Sequence, residues 1–215
     1  MYKLCAFDLD GTLVDTIGDL AASLNYALEK NGLPVHTVQE VSRLVGHSVS
    51  YMCCMAVPEE VREARWQQVY ADCDAHYALH CCDHSRPYEG VLRTVSRLKA
   101  AGVTLAVVTN KPHKHAMHVV NELFPRDTFS IILGMMKKFE KKPAAEPLNF
   151  VLDYLGVAPK DAIYVGDSEV DIEFAKNTGL PCVSVTWGLR PRSELIAAGA
   201  TCLIDDPEEL LEIVL

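Results

Sequence analysis

Positive charge is scarce in this chain: 20 Lys+Arg stand against 29 Asp+Glu, a formal net charge of −9. A nucleic-acid footprint needs a basic face and a polybasic membrane patch needs clustered lysines, so no nucleic acid and no membrane is expected as a partner. An acidic protein that handles an anion must concentrate its few cations, or a metal, at one place. Long apolar runs are missing as well; none approaches the roughly 20 residues of a membrane helix. Only Lys3 precedes the first apolar run, and no signal-peptide core follows it. The chain is therefore expected to be cytoplasmic. Cys-x-x-Cys pairs are absent, which leaves the 8 cysteines without zinc-ligand spacing, and nothing points to a secreted disulfide scaffold. Cys5 and Cys182 fall in strand-like runs and read as small buried hydrophobes. Cys53, Cys54, Cys73, Cys81 and Cys82 form a denser group with His76, His80 and His84. Internal repeats and low-complexity segments are absent too.

What is present is an ordinary globular composition, 49% hydrophobic and 23% charged, in 215 residues, enough to bury a real core. Leu4 to Phe7 is a short apolar run ended by carboxylates and a glycine, which predicts a buried strand. From Thr16 the pattern turns helical: Ile17, Leu20, Ala21, Leu24, Ala27 and Leu28 recur at spacings of three and four, and Asn31-Gly32 ends the helix. Thr37 and Glu40 have capping-box spacing for a second helix toward Val45. Gly46-His47-Ser48 breaks it, a short helix follows to Met55, and Pro58 opens a long one to about Cys81. No convincing strand occurs between Thr16 and about His84. Strands near 103–108, 129–133, 162–165, 181–186 and 201–204 then alternate with helices. That order predicts an α/β fold, a doubly wound parallel sheet, with an inserted all-helical subdomain. Residues 1–15 and 85–215 would form the α/β domain, and residues 16–84 the helical one.

The polar residues that follow these strands suggest chemistry. Asp8 and Asp10 are two apart on an extended chain, so both side chains lean to one side. Close carboxylates repel unless a cation sits between them. One could then act as a nucleophile while the other moves a proton. Thr109-Asn110 offers a hydroxyl and backbone N–H groups at a helix start, a natural place for phosphate oxygens. Asp167 follows a glycine at another strand end, with Asp171 on the same side of the next helix. Lys142 belongs to a lysine-rich loop with Lys137, Lys138 and Lys141. Singly, each has a bland reading as a turn residue, a cap or a solvated charge. In this order, each just beyond a different strand, coincidence is a poor explanation.

The set Asp8-x-Asp10-Gly11-Thr12, Thr109-Asn110, Lys142-Pro143 and Gly166-Asp167-Ser168-x-x-Asp171 resembles all four motifs of haloacid dehalogenase superfamily phosphatases, in order. The resemblance covers essentially the whole chain. It implies a Rossmann-like core with residues 16–84 as a mobile cap, and Mg2+-dependent hydrolysis of a small-molecule phosphate ester. Asp8 would be the nucleophile that forms an aspartyl-phosphate, and Asp10 the general acid and then base. Thr109, Asn110 and Lys142 would hold the phosphoryl group. Mg2+ would be bound by Asp8, the Asp10 carbonyl and Asp167, with Asp171 in support. Two further segments are similar to phosphoglycolate phosphatases: Asp8 to Gly46, and Gly179 to Asp205. Departures occur at Gly46-His47-Ser48, where Gly-Asn-Gly is frequent, at Ala145, and at Cys53-Cys54-Met55. In the cap, Gly46, His47 and Ser48 are candidates for reading a substrate carboxylate, with Arg43 the nearest fixed cation.

Other readings make different demands. A 2-haloacid dehalogenase needs neither Asp10 nor Asp167. A phosphonatase needs a cap lysine, and Lys30 is the only one between Thr16 and His84. A phosphoglucomutase-type enzyme keeps the same core residues. A non-catalytic phosphate-ligand-binding module would retain the site without turnover. Nothing in the sequence specifies an oligomeric state.

Overall fold

All four residues of the first strand, β1 (Leu4–Phe7), are buried, so its alternating side chains supply two cores rather than one. In the computed structural model, which describes residues 1–215, β1 is followed by β2 (Val14–Asp15), by helices α1 (Ile17–Lys30), α2 (Val38–Ser42), α3 (Val49–Ala56) and α4 (Arg62–His80), and by β3 (Arg86–Pro87). Helices and strands then alternate: α5 (Val91–Ala100), β4 (Thr104–Pro112), α6 (His113–Leu123), β5 (Ile131–Met135), α7 (Glu146–Leu155), β6 (Ala162–Gly166), α8 (Glu169–Thr178), β7 (Cys182–Val185), α9 (Arg192–Ala197), β8 (Leu203–Ile204) and α10 (Glu209–Val214).

Six strands form one sheet in the order β5-β4-β1-β6-β7-β8, and every neighbouring pair is parallel. The chain moves outward from β1 through β4 to β5, then returns to β6 on the other side of β1. This is the doubly wound arrangement, and its switch point lies at β1, where such folds open a crevice beyond the strand ends. Cys5, Phe7, Leu105, Val107, Ile163 and Val165 face one core with α5, α6 and α10. Leu4, Ala6, Ala106, Val108, Ala162 and Tyr164 face the other with α7 and α8. No helix is long and apolar enough to cross a membrane.

Helices α1 to α4 lie between β2 and β3, which pair antiparallel through Val14–Pro87 and Asp15–Arg86. The two crossings into and out of the helical segment are thus tied side by side. Its apolar residues, among them Leu24, Val41, Met52 and Val69, join the same cluster as Phe7 and Val107. Asp19 on α1 closes the exit by accepting hydrogen bonds from the backbone N–H groups of His84 and Ser85 and from the Ser85 hydroxyl.

Several boundaries differ from the sequence expectations. The β2–β3 ribbon and α10 are additional elements. Strand β4 continues through Thr109 to Pro112, with a register shift after Val108 before Pro112 pairs Met135. The Thr37–Glu40 capping box is present, but α2 stops at Ser42 rather than near Val45. Arg190 explains the early stop: its guanidinium donates to the Ser42 and Val45 carbonyls at 2.9 and 2.8 Å.

Candidate active site

The carboxyl ends of β1, β4 and β6 converge on Lys142. Its ammonium lies 2.9 Å from an Asp8 oxygen and 2.7 Å from Asp171 Oδ1. It also donates to the Tyr164 hydroxyl at 3.0 Å, and that hydroxyl donates onward to the Val108 carbonyl. Lys142 is 1% exposed, a position a cation tolerates only when paired. Burial works against its charge, but Asp171 and Asp8 outweigh burial and hold its pKa above the usual lysine range. Asn110 fixes the loop that delivers it. The Asn110 side chain accepts from the Lys142 N–H at 2.8 Å and donates to the Lys142 carbonyl at 3.1 Å.

Asp171 sits in the first turn of α8, where its second oxygen accepts from the N–H groups of Asp167 and Ser168 and from the Ser168 hydroxyl. Ser168 in turn caps α8. Asp167 accepts from the Thr12 hydroxyl at 2.9 Å and from the Leu189 N–H at 2.8 Å. Gly11 allows this approach: it has φ 82°, and a side chain there would run into the Asp167 carboxylate. Asp8, Asp167 and Asp171 therefore bring carboxylate oxygens within 4.8 Å of one another.

One lysine does not neutralise this group. Burial, relieved in part by Lys142 and reinforced by Asp171, raises the Asp8 pKa to about 6. Burial together with the charges of Asp171 and Asp8 raises that of Asp167 to about 8. Hard oxygen donors that resist ionisation for want of positive charge fit a divalent cation.

Asp10 lies to one side of the cluster. One of its carboxylate oxygens accepts from Lys111 Nζ at 2.7 Å and from the Thr16 hydroxyl at 2.6 Å, leaving the other for reaction. Lys111 also donates to the Tyr77 hydroxyl at 2.7 Å, which joins Asp10 to α4 of the helical segment. Asp8, Asp10, Thr109, Asn110 and Lys111 line a cleft with Leu20, Val45, Gly46, Ser48, Val49 and Met52. The walls are thus shared between strand ends and helical segment.

The strand-end residues singled out from the sequence come together here, and Gly46 and Ser48 reach the cleft. His47 does not line it; its ring packs against Tyr51, centroids 4.7 Å apart. Arg43 is exposed, and the cation beside Gly46 is Arg190, itself buried and paired with Glu169 at 3.0 Å. Sequence reasoning missed Lys111, Tyr77 and Arg190. Only Lys111 carried a local signal, since it directly follows Thr109-Asn110.

A doubly wound sheet with charged side chains gathered beyond three adjacent parallel strands defines an α/β enzyme with its site at the switch point. The family model for haloacid dehalogenase-like hydrolases matches residues 5–185, and the chain belongs to that family. It is similar to a phosphoglycolate phosphatase of Chromobacterium violaceum, 34% identical over 99% of this chain and 96% of the relative. A second relative of that name, from Agrobacterium fabrum, is 37% identical over 87% of this chain and 82% of its own length. Among solved structures, a proposed phosphoglycolate phosphatase from Lactobacillus delbrueckii subsp. bulgaricus superposes with a TM-score of 0.95 at 33% identity, covering 100% of this chain and 98% of the other. CbbY from Rhodobacter sphaeroides, in complex with phosphate, shares the fold at a TM-score of 0.82 and 22% identity, with 98% and 96% covered.

Proposed function

We propose that the chain is a Mg2+-dependent phosphomonoesterase that works through a phosphorylated Asp8, with 2-phosphoglycolate or a similar small carboxylated ester as substrate. The observation that carries this reading is the Asp8 carboxylate, buried beside Lys142 and two further aspartates yet open to a cleft. Asp8 attacks phosphorus; an Asp8 O–P bond forms as the ester P–O bond breaks. Asp10 gives its proton to the departing oxygen, then takes one from the water that attacks the same phosphorus, and inorganic phosphate leaves. Lys142 and the Thr109 hydroxyl stabilise charge on the transferring group, which is worth most in a site that excludes water. Mg2+, held by Asp8, Asp167 and the Asp10 carbonyl with Asp171 in support, would supply Lewis-acid stabilisation of that charge.

Residues 16–84 act as the cap in this reading, and recognition of the leaving group falls to them. The N–H groups of Gly46, His47 and Ser48 have no backbone acceptor within the chain, and α3 begins at Val49 on the cleft wall. A small carboxylate is suited to such a row of donors. The Gly46 carbonyl is already held by Asn110 at 3.2 Å, so the loop's N–H groups are its free polar face.

The test is phosphate release from a panel of small phosphomonoesters with and without Mg2+. Turnover of 2-phosphoglycolate that requires the metal, and a raised Mg2+ requirement in Asp167→Ala, are expected. Transfer of phosphate between sugar positions in place of release to water would replace this reading with a mutase.

A further inference from the structure

The exit of the helical segment carries a second cluster of metal-ligating residue types, thiols and an imidazole rather than carboxylates. Helix α4 ends at His80, and Cys81 caps it in helical conformation. The Sγ atoms of Cys81 and the next residue, Cys82, lie 3.8 Å apart. Facing them from α6 is His118, and the ligand atoms of all three lie within 4.8 Å of one another. The sequence grouped these cysteines with His76, His80 and His84, but the rings of His76 and His80 serve other contacts, and His84 is not in the group. His76 meets the Ser23 hydroxyl and stacks on Tyr26 and His80, and His80 pairs with Asp83. The chain folds a different histidine onto the thiols.

The geometry suits a tetrahedral ion. With metal–sulfur bonds of about 2.3 Å, two thiolates on a tetrahedral zinc are separated by about 3.8 Å. The observed sulfur separation therefore needs no rearrangement. Cys81 is buried, Cys82 half-buried and His118 exposed, so the site has a closed floor and an open side for entry. Glu122 lies one turn beyond His118 on the same face of α6, and its charge reaches the Cys82 thiol, but the three-residue group does not include its carboxylate. Burial raises the pKa of both thiols, that of Cys82 to about 12, so they are protonated when free and metal uptake must release protons. Cys81 belongs to the apolar core and Cys82 packs at its edge, where its thiol comes within 4.8 Å of the His118 imidazole.

We propose that Cys81, Cys82 and His118 form a site for a thiophilic divalent ion of the zinc and cadmium class, clipping the exit of the helical segment to α6. Soft thiolate and imidazole donors select such ions over Mg2+, so the two metal sites are chemically separate. An ion here would also stiffen the end of α4. Tyr77, one turn before Cys81, accepts from the Lys111 ammonium that holds Asp10.

The test uses the whole reduced protein, titrated with Cd2+ in excess Mg2+ and followed by the ultraviolet cadmium–thiolate charge-transfer band, with Zn2+ stoichiometry measured by equilibrium dialysis. One equivalent per chain is expected. Cys82→Ser should abolish the band, exposed His118→Gln should weaken binding at least tenfold, and Cys54→Ser should leave both unchanged. Metal-free melting temperatures of the variants separate loss of a ligand from loss of fold, and Cys82→Ala replaces the serine variant if that one melts early. A band that survives removal of the Cys82 thiol overturns the site. So does affinity indifferent to His118→Gln, which would reduce it to a bare pair of thiols.

Discussion

The strand ends and the helical segment build opposite walls of one cleft with different materials. At the strand ends the wall is built of charged and polar side chains, and its two carboxylates are each held by two partners: Asp8 by Lys142 and the Leu9 N–H, and Asp10 by Lys111 and Thr16. The helical side offers Leu20, Val45, Val49 and Met52 with the backbone of Gly46 and the hydroxyl of Ser48, and no charge of its own. Rigid, paired charge suits a group that is the same in every turnover. An apolar wall with free N–H groups suits a variable leaving group that enters and departs. Between the two walls the polar contacts are few and specific: Arg190 to Ser42 and Val45, Asn110 to Gly46, Lys111 to Tyr77, and His115 and Lys114 to Asp74.

The sharpest way to break this comparison is to damage one wall alone. Asp8→Asn keeps the shape of the strand-end wall but cannot carry a phosphoryl group, and kcat should fall more than about 100-fold, a barrier increase above about 2.7 kcal/mol. The loss should be the same for every ester, and circular dichroism should show the fold intact. Retention of more than a hundredth of wild-type kcat would remove Asp8 from the chemistry.

A smaller and substrate-dependent loss is expected from Arg190→Ala. It removes hydrogen bonds from a charged donor, each worth about 1.5–3 kcal/mol, that hold residues 42–46 over the cleft. The kcat/KM for a small carboxylated ester should fall roughly tenfold or more by that reckoning. An aryl phosphate, whose good leaving group depends less on closure, should lose little. Equal losses on both substrates would make Arg190 a general support of the fold. Gly46 is a less useful probe than its position suggests. Its φ of 117° strains any other residue, so a valine there distorts the loop whatever the loop binds.

How the two walls were read from sequence follows the same division. Strand ends punctuated by Asp-x-Asp-Gly, Thr-Asn and Gly-Asp are local signals, because a parallel sheet exposes its functional groups at those points. Lys142 stands out from its lysine-rich loop only through the motif resemblance of Lys142-Pro143; its burial depends on Asn110 and Tyr164, which are remote in sequence. Arg190 reaches a loop 145 positions away, and no periodicity or motif spacing encodes such a contact. His47 and Arg43 were natural candidates by proximity along the chain. The fold turns the first onto Tyr51 and leaves the second exposed, since a loop's neighbours are set by what packs against it. Two-residue strands such as β2 and β3 are too short to show a period at all.

The smallest expected effect is thermodynamic. Asp8 and Asp167 have pKa values raised to about 6 and about 8 in the folded protein, against about 3.9 for an unfolded aspartate. Between those limits these two groups bind more protons in the folded state than in the unfolded one, so their contribution to metal-free stability should fall as pH rises from about 4 to 8, against an opposite contribution from His76 and His115, whose pKa values burial lowers. In the proposed function Mg2+ is held by the ionised carboxylates, so its stabilising shift in Tm should be larger at pH 8 than at pH 5. Calorimetry in the presence of a chelator and of Mg2+ checks both. A metal-induced shift that does not grow with pH would mean the ion binds elsewhere.

The central claim is that Asp8 takes up the phosphoryl group while Asp10 handles protons. Asp10→Asn leaves Asp8 and its partners in place but removes the base needed to release phosphate, so the covalent species should accumulate with a good leaving group. Acid quenching of Asp10→Asn during turnover of an aryl phosphate, followed by peptide mass spectrometry, is the direct measurement. A phosphoryl group on the peptide containing Asp8, absent when Asp8 is also replaced by Asn, is the predicted result. Release of phosphate with no adduct at any quench time, or an adduct carried by Asp167, would contradict it.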